Sequence, residues 1–217
     1  MGKTNKITYP TFKEEQILWK KGYDYVIGVD EVGRGSFAGP IVAAAVLFKK
    51  TTDPERLTGV NDSKLLSCTK RHVLSKVIIN ECLDWAIRSV PVSTINKVGI
   101  GKANKTAIRM AIYDVIKKIK TDKVFVLIDG FHIKHIKGIG INNEKPIIKG
   151  DQKSLSIAAA SIIAKNHRDK IMKCLARKYP QYGFEKNKGY GTKFHQEAIR
   201  KNGLCKIHRI AFCKKTI

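Results

Sequence analysis

The chain has 217 residues, with 42 Lys and Arg against 18 Asp and Glu and a formal net charge of +24. That length fits one domain with a substantial core, and so basic a balance favours a nucleic-acid partner, because each neutralised phosphate releases condensed counterions. The sequence offers no membrane-length apolar run, no signal peptide in the polar residues 1–10, and no zinc spacing or Cys-x-x-Cys pair among its five cysteines, so a soluble cytoplasmic protein with free thiols is expected.

Residues 12–21 carry helical spacing (Phe12, Ile17, Leu18) and stop at Gly22, a residue suited to a helix end. Residues 25–29 read as a buried strand and 41–48 as a second. The short connection between them, with Gly33, Gly35, Gly39 and Pro40, favours an antiparallel pair. A polar stretch with Asn61-Asp62-Ser63-Lys64 precedes a helix that starts near Ser67 and Thr69 and covers 73–79. Residues 84–90 suit a third strand. Residues 91–120 are mostly helical, interrupted around Gly99 and Gly101. A continuous apolar strand at 124–128 ends at Asp129-Gly130, and a basic, glycine-containing loop fills 131–144. A short strand at 146–149 ends at Gly150-Asp151. Residues 154–177 form one long helix, closed by Pro180, and 192–201 the last helix, ending near Gly203. Strands first, then strand and helix alternating, give an α/β mixed sheet with an antiparallel start and a parallel finish.

Four acidic residues share one kind of position. Asp30 and Glu31 close the first strand, Asp129 closes the apolar strand, and Asp151 follows the short strand and precedes the longest helix. Functional groups in open α/β sheets gather outside strand ends. Carboxylates clustered there repel one another unless cations bind, and oxygen ligands suit Mg²⁺ or Mn²⁺. Two such ions would support in-line phosphodiester hydrolysis. One difficulty is geometric: neighbouring strand residues point to opposite faces. Either the strand breaks at Glu31, which nearby Gly33 would permit, or Glu31 acts through its backbone carbonyl or from the far side. Taken singly, each acid also fits a solvated strand end, and Asp151 a helix N-cap.

Other residues divide between packing and binding. The alanine-rich first half of the long helix suits close packing on a sheet. Lys165, His167, Arg168 and Lys170 fit either a phosphate-facing edge or a solvated face, and Asp169 an internal salt bridge. Tyr182 and Phe184 suit a core, His195 a structural or surface position, and Tyr190, between Gly189 and Gly191, an exposed one. Glycines on both sides of Arg34 let backbone groups approach a sugar, with Arg34 free to hold a phosphate.

These residues carry a resemblance. The segments GVDEVGRGSFAGPIVAAAV, NDSKLLS, VLIDG, GDQKSLSIAAASIIAKNHRD, YPQYGFEKNKGYGTKFH and a late IHR, in this order, are similar to those of ribonuclease HII, the type 2 ribonuclease H. The resemblance spans residues 25–208. It implies a ribonuclease H-like mixed sheet flanked by helices: a leader at 1–22, a catalytic domain at 23–178 and a small helical substrate-binding extension at 179–217. It implies metal-dependent cleavage of RNA in RNA–DNA hybrids and 5′ to single ribonucleotides embedded in duplex DNA, leaving a 3′-hydroxyl and a 5′-phosphate. By motif, Asp30, Glu31, Asp129 and Asp151 take metal-binding positions. Gly33, Arg34 and Gly35 read the ribose 2′-hydroxyl, Tyr190 stacks on the next sugar, and Lys64 and Ser154 lie near the phosphate backbone. The resemblance also implies a monomer. Phe131 departs from the asparagine common among relatives after Asp-Gly, and no room precedes residue 25 for a further substrate-binding domain of the ribonuclease HIII kind. The competing expectations are a non-catalytic nucleic-acid-binding module and a related nuclease acting on DNA alone.

Overall fold

The structure is a computed structural model and describes residues 9–216; the first eight residues of the expected leader lie outside it. Helix α1 (Lys13–Lys20) ends just before Gly22, whose φ of 95° turns the chain into the first strand. Strand β1 (Tyr25–Val32) pairs antiparallel with β2 (Ile41–Leu47), and β2 pairs antiparallel with β3 (Asp84–Val90). On its other side β1 runs parallel to β4 (Val124–Asp129), which runs parallel to β5 (Glu144–Ile147). The sheet order is β3-β2-β1-β4-β5. The sequence predicts this mixed sheet, because a short loop permits only an antiparallel return while the later strands arrive after helical crossovers.

Alternation along the strands sends side chains to two cores. Ile27 and Val29 of β1, with Ala43 and Ala45 of β2, face α4 (Ile100–Ile116). Val42, Ala44 and Val46 face the other layer, built by α2 (Cys68–Glu81) and α5 (Leu155–Lys178). Helix α5 lies very close to β1: a Cβ on Gly28 would sit 2.2 Å from the Ser156 carbonyl carbon. Its buried run Ala158, Ala159 and Ala160 permits that approach.

Local details differ from the sequence expectation. Helix α3 (Val92–Val98) is separated from α4 by Gly99 alone, at φ 81°, and Gly101 sits inside α4 without breaking it. Strand β5 lies two residues earlier than expected, because Lys149 adopts a left-handed conformation that no strand accepts. After α6 (Phe184–Asn187) and α7 (Lys193–Asn202) comes one further short helix, α8 (Ile210–Cys213). Residues beyond α5 build a third core, in which Tyr182, Phe184, Ala198, Ile199 and Cys213 pack on Met172 of α5 and Ala38 of the β1–β2 loop. His195 is structural and buried there, its Nε2 3.0 Å from Nε2 of His208. No helix among the described residues is long and apolar enough to cross a membrane.

Candidate active site

Strand β1 does not break at its carboxylates. It continues through Val32, with Asp30 opposite Ala44 and Glu31 opposite Ala43. The β1–β4 ladder, by contrast, stops at Val29 and Ile128. β4 therefore stops where β1 runs on beside β2, and Asp30 and Asp129 share the face that packs on α5. The Asp30 carboxylate lies beside Ser161 of α5 and accepts a hydrogen bond, at 2.7 Å, from the Glu31 amide. Glu31 leaves from the opposite face, the one that packs on α4, with Asn104 of that helix nearby. Of the three arrangements open to Glu31 in the sequence, the fold adopts the far side.

Asp151 enters by another route. It lies in the single 3₁₀ turn Gly150–Gln152 ahead of α5 and is buried. Gly150 donates its amide to Asp129 Oδ1 at 2.7 Å, fastening this turn to the end of β4. Ser154, three residues on, caps α5; Asp151 does not.

Burial raises Asp30 well above the usual carboxylate range, and the charges of Glu31 and Asp129 raise it further. Burial likewise lifts Glu31 to about 7, with Arg34 opposing and Asp129 adding. Asp151 is raised by burial and by Asp62 and Asp129, with Lys64 opposing. Burial works to lower Lys64, yet Asp62, Asp151, Asp30 and Asp129 outweigh it and hold the ammonium above its ordinary value. Its Nζ stands 3.6 Å from Asp151 and 3.8 Å from Asp62. One lysine thus senses all these acids, which places them in one electrostatic neighbourhood.

A cavity of about 390 Å³ opens on this neighbourhood, lined by Asp30, Glu31, Lys64, Ser161, Lys165 and Tyr190 among others. A larger cleft of about 910 Å³ beside α5 and α7 has Glu185 as its one acidic wall residue among Lys173, Arg177, Lys186 and Phe194. Of the four strand-end acids, Asp30 and Glu31 line the smaller one, while Asp129 and Asp151 lie outside its lining.

The remaining predicted residues separate clearly. Gly33, Arg34 and Gly35 form the turn after β1, and the Arg34 guanidinium lies 5.2 Å from the Phe131 ring centre. Phe131, the departure from the family pattern, thus supports the arginine. Tyr190 is 37% exposed and stands on the rim with its ring 5.5 Å from Arg168. Ser154 is a correction. It is fully buried, its hydroxyl donates to Glu15 Oε1 at 2.6 Å and accepts from the Ile157 amide, so no face remains for a phosphate. Arg168, expected on a solvated or phosphate-facing edge, is buried as well. Asp169 is an internal salt-bridge partner, 3.0 Å from Arg71 and 2.6 Å from Lys165.

Asp62, Ser161 and Asn104 were not legible as site residues. Asp62 accepts from the Lys64 amide at 2.9 Å, and Ser63 Oγ lies 2.9 Å from Ser161 Oγ, so the 61–64 loop is tied to the helix that supports Asp30. The one sequence signal for Asp62 was its place beside Lys64.

Among the described residues, no three or more His, Cys, Asp and Glu side chains stand close enough together to hold a metal ion as they are placed. The donor chemistry nonetheless suits a hard divalent cation. The ligand candidates are all carboxylates, and burial, with neighbouring negative charge adding, raises Asp30, Glu31 and Asp151.

Comparison with known proteins identifies the family and the fold. Ribonuclease HII of Clostridioides difficile (strain 630) is 48% identical over 199 residues, covering 92% of this chain and 74% of that protein. Ribonuclease HII of Fusobacterium nucleatum subsp. nucleatum is 48% identical over 202 residues, covering 92% and 91%. Among solved structures, ribonuclease H2 from Pyrococcus horikoshii OT3 superposes with a TM-score of 0.71 at 26% identity, covering 88% of this chain and 96% of that one. With the Ribonuclease HII family model matching residues 27–215 as well, the chain belongs to the ribonuclease HII family and is a ribonuclease H-type endonuclease.

Proposed function

We propose that the enzyme cuts the RNA strand of RNA–DNA hybrids, and 5′ to single ribonucleotides in duplex DNA, at the pocket lined by Asp30 and Glu31, with Asp129 and Asp151 beside it. The observation that carries this reading is the pairing of Asp30 and Asp129 on one sheet face, where the β1–β4 ladder ends. A non-catalytic binding module would have no use for buried, mutually repelling acids, whose burial opposes folding unless a cation offsets it. Asp30, Glu31, Asp129 and Asp151 are the residues that would hold Mg²⁺ or Mn²⁺, two ions during turnover. Bound there, such ions supply Lewis-acid polarisation of the phosphate and a more acidic attacking water.

The chain's own residues do the rest. Arg34, on its Phe131 support, is placed to meet a phosphate oxygen by a charge-assisted hydrogen bond. Lys64, 76% exposed at its side chain, can reach the phosphate backbone while opposing the acids' charge. Gly35 leaves room for a sugar, since a Cβ there would meet nothing within 4 Å. Tyr190 offers a flat face on the rim for the neighbouring sugar. Residues 179–217 act as the substrate-binding extension, supported by Tyr190 sharing the rim with the acids. The monomeric, cytoplasmic state belongs to this proposal and rests on the family resemblance.

The test is cleavage of a duplex carrying one ribonucleotide, with and without Mg²⁺ or Mn²⁺, beside an all-DNA control. The expected result is a metal-dependent cut 5′ to the ribonucleotide and none in the control. Cutting of both duplexes, or of neither, would contradict the reading.

A further inference from the structure

Arg168 of α5 and Arg209, immediately before α8, are completely buried, and among the described residues neither has a carboxylate within ion-pair distance. Their partners are backbone carbonyls. Arg209 donates from Nη1 to Gly33 O at 2.6 Å and Arg34 O at 3.0 Å. It donates from Nε and Nη2 to Gly39 O at 3.0 and 2.8 Å. Arg168 donates to Pro40 O at 3.0 Å, Ala38 O at 3.1 Å and Lys188 O at 2.8 Å. The loop between β1 and β2 is therefore drawn inward by its oxygens. A lysine could not imitate this, because only the planar guanidinium presents a fork of fixed donors.

Peptide geometry gives the consequence. In a trans peptide the carbonyl and the following N–H point in opposite directions. Turning the Gly33 and Arg34 carbonyls onto Arg209 aims the Arg34 and Gly35 amides the other way. Among the described residues neither amide has an acceptor, and the space beside Gly35 is open. Burying two cations is costly: burial pushes Arg209 down to about 10, and Arg168 beside it adds to the effect. An apolar filler would be cheaper if packing were the sole requirement.

We propose that Arg209 is a positioning residue for ribose selectivity, with Arg168 as its partner. By fixing the peptide planes of the Gly33–Gly35 turn, it holds two amides ready for a hydroxyl or phosphate oxygen. Arg168 brings Tyr190 into the same arrangement, bonding the Lys188 carbonyl while its guanidinium lies 5.5 Å from the Tyr190 ring. The late His208-Arg209 pair, far from the acids in sequence, thereby serves substrate discrimination. This inference rests on the proposed meeting of the Gly33–Gly35 turn with the sugar.

The experiment measures dissociation constants without divalent ions, so that nothing is cut, for a duplex with one ribonucleotide and for the same duplex in all-DNA form. Wild type, Arg209→Lys, Arg168→Lys and Gly35→Ala are compared, with circular dichroism confirming the folded fraction. The expected result is a wild-type preference for the ribonucleotide that falls to within about twofold of unity in Arg209→Lys and Gly35→Ala, with all-DNA affinity within about threefold of wild type. Loss in Gly35→Ala with an unchanged preference in Arg209→Lys overturns the positioning role and leaves the sugar contact standing. An unchanged preference in both overturns the sugar contact itself. Should Arg209→Lys fail to fold, Arg168→Lys takes its place with the same two outcomes.

Discussion

Asp30 and Glu31 are neighbours in the chain whose side chains leave opposite faces of the sheet, Asp30 toward α5 and Glu31 toward α4, while the Glu31 amide donates to Asp30 Oδ1 at 2.7 Å. Both nonetheless feel the charge of Asp129. This is possible because the β1–β4 ladder ends one residue earlier, leaving the sheet's end open for side chains from both faces to approach one site. The strand stays regular, and the meeting point is set by where the neighbouring strand stops.

Asp30→Asn is expected to reduce cleavage by about 100-fold or more, the scale seen when one electrostatic contact to a reacting centre is removed. Duplex binding should persist. Without divalent ions the variant should melt no lower than wild type, because it keeps an acceptor for the Glu31 amide and removes a charge that Glu31 and Asp129 repel. Normal turnover would remove Asp30 from the site. A large drop in melting temperature would contradict the repulsion.

The pH dependence has a definite sign at Glu31. Its folded-state value of about 7 stands above the ordinary 4.5. The folded protein holds this proton more tightly than the unfolded chain does, so the group favours folding at low pH and loses that advantage as pH rises from 4.5 to 7. Above that window its charge costs on the order of 2 kcal/mol, allowing for the water it still meets. In metal-free buffer, Glu31→Gln should therefore gain stability over wild type as pH rises from 4.5 to 7, then level off. A gap that does not change with pH would contradict the burial of that charge.

Gly33 and Gly35 should respond differently to alanine. Gly33 has φ 89°, and a Cβ there would lie 2.2 Å from Arg168 Nε, so Gly33→Ala should cost about 2 kcal/mol or more in denaturant unfolding. Gly35 has open space and no left-handed φ, so Gly35→Ala should stay within about 0.5 kcal/mol. Its cleavage at a ribonucleotide should still fall by about tenfold or more, since the new methyl occupies space the sugar would use. Full activity in Gly35→Ala would remove that turn from substrate contact.

Tyr190→Ala should weaken cutting at an isolated ribonucleotide by about tenfold, the scale of one lost aromatic stacking contact. Mn²⁺ affinity, measured by calorimetry, should not change, because Tyr190 lines the rim and is no carboxylate. Equal cleavage by variant and wild type would exclude Tyr190 from the site.

The positions of Asp30 and Asp129 at the ends of apolar strand runs were legible in the sequence, whereas Asp151 lies in a 3₁₀ turn beyond the end of β5. The sheet's mixed order was legible as well: short loops and helical crossovers leave different patterns. Ser154 was not. Its role depends on Glu15, which arrives from α1 and accepts from Ser154 Oγ, Ser156 Oγ and the Ser156 amide. Arg168 and Arg209 were equally opaque, since a basic residue in a basic chain reads as surface. Carbonyls from a loop more than a hundred residues away hold them inside. Asp62 reaches the site on a loop without strand or helix periodicity, so nothing marked it beyond the lysine beside it.

The most direct test of the central claim is a crystal soaked in Mn²⁺ and measured at the manganese absorption edge. The account predicts an anomalous peak coordinated by carboxylate oxygens of Asp30 and Asp129, with Glu31 or Asp151 completing the protein ligands and Lys64 displaced from Asp151. A map without a peak where the β1–β4 ladder ends, or with manganese bound only elsewhere, would contradict it.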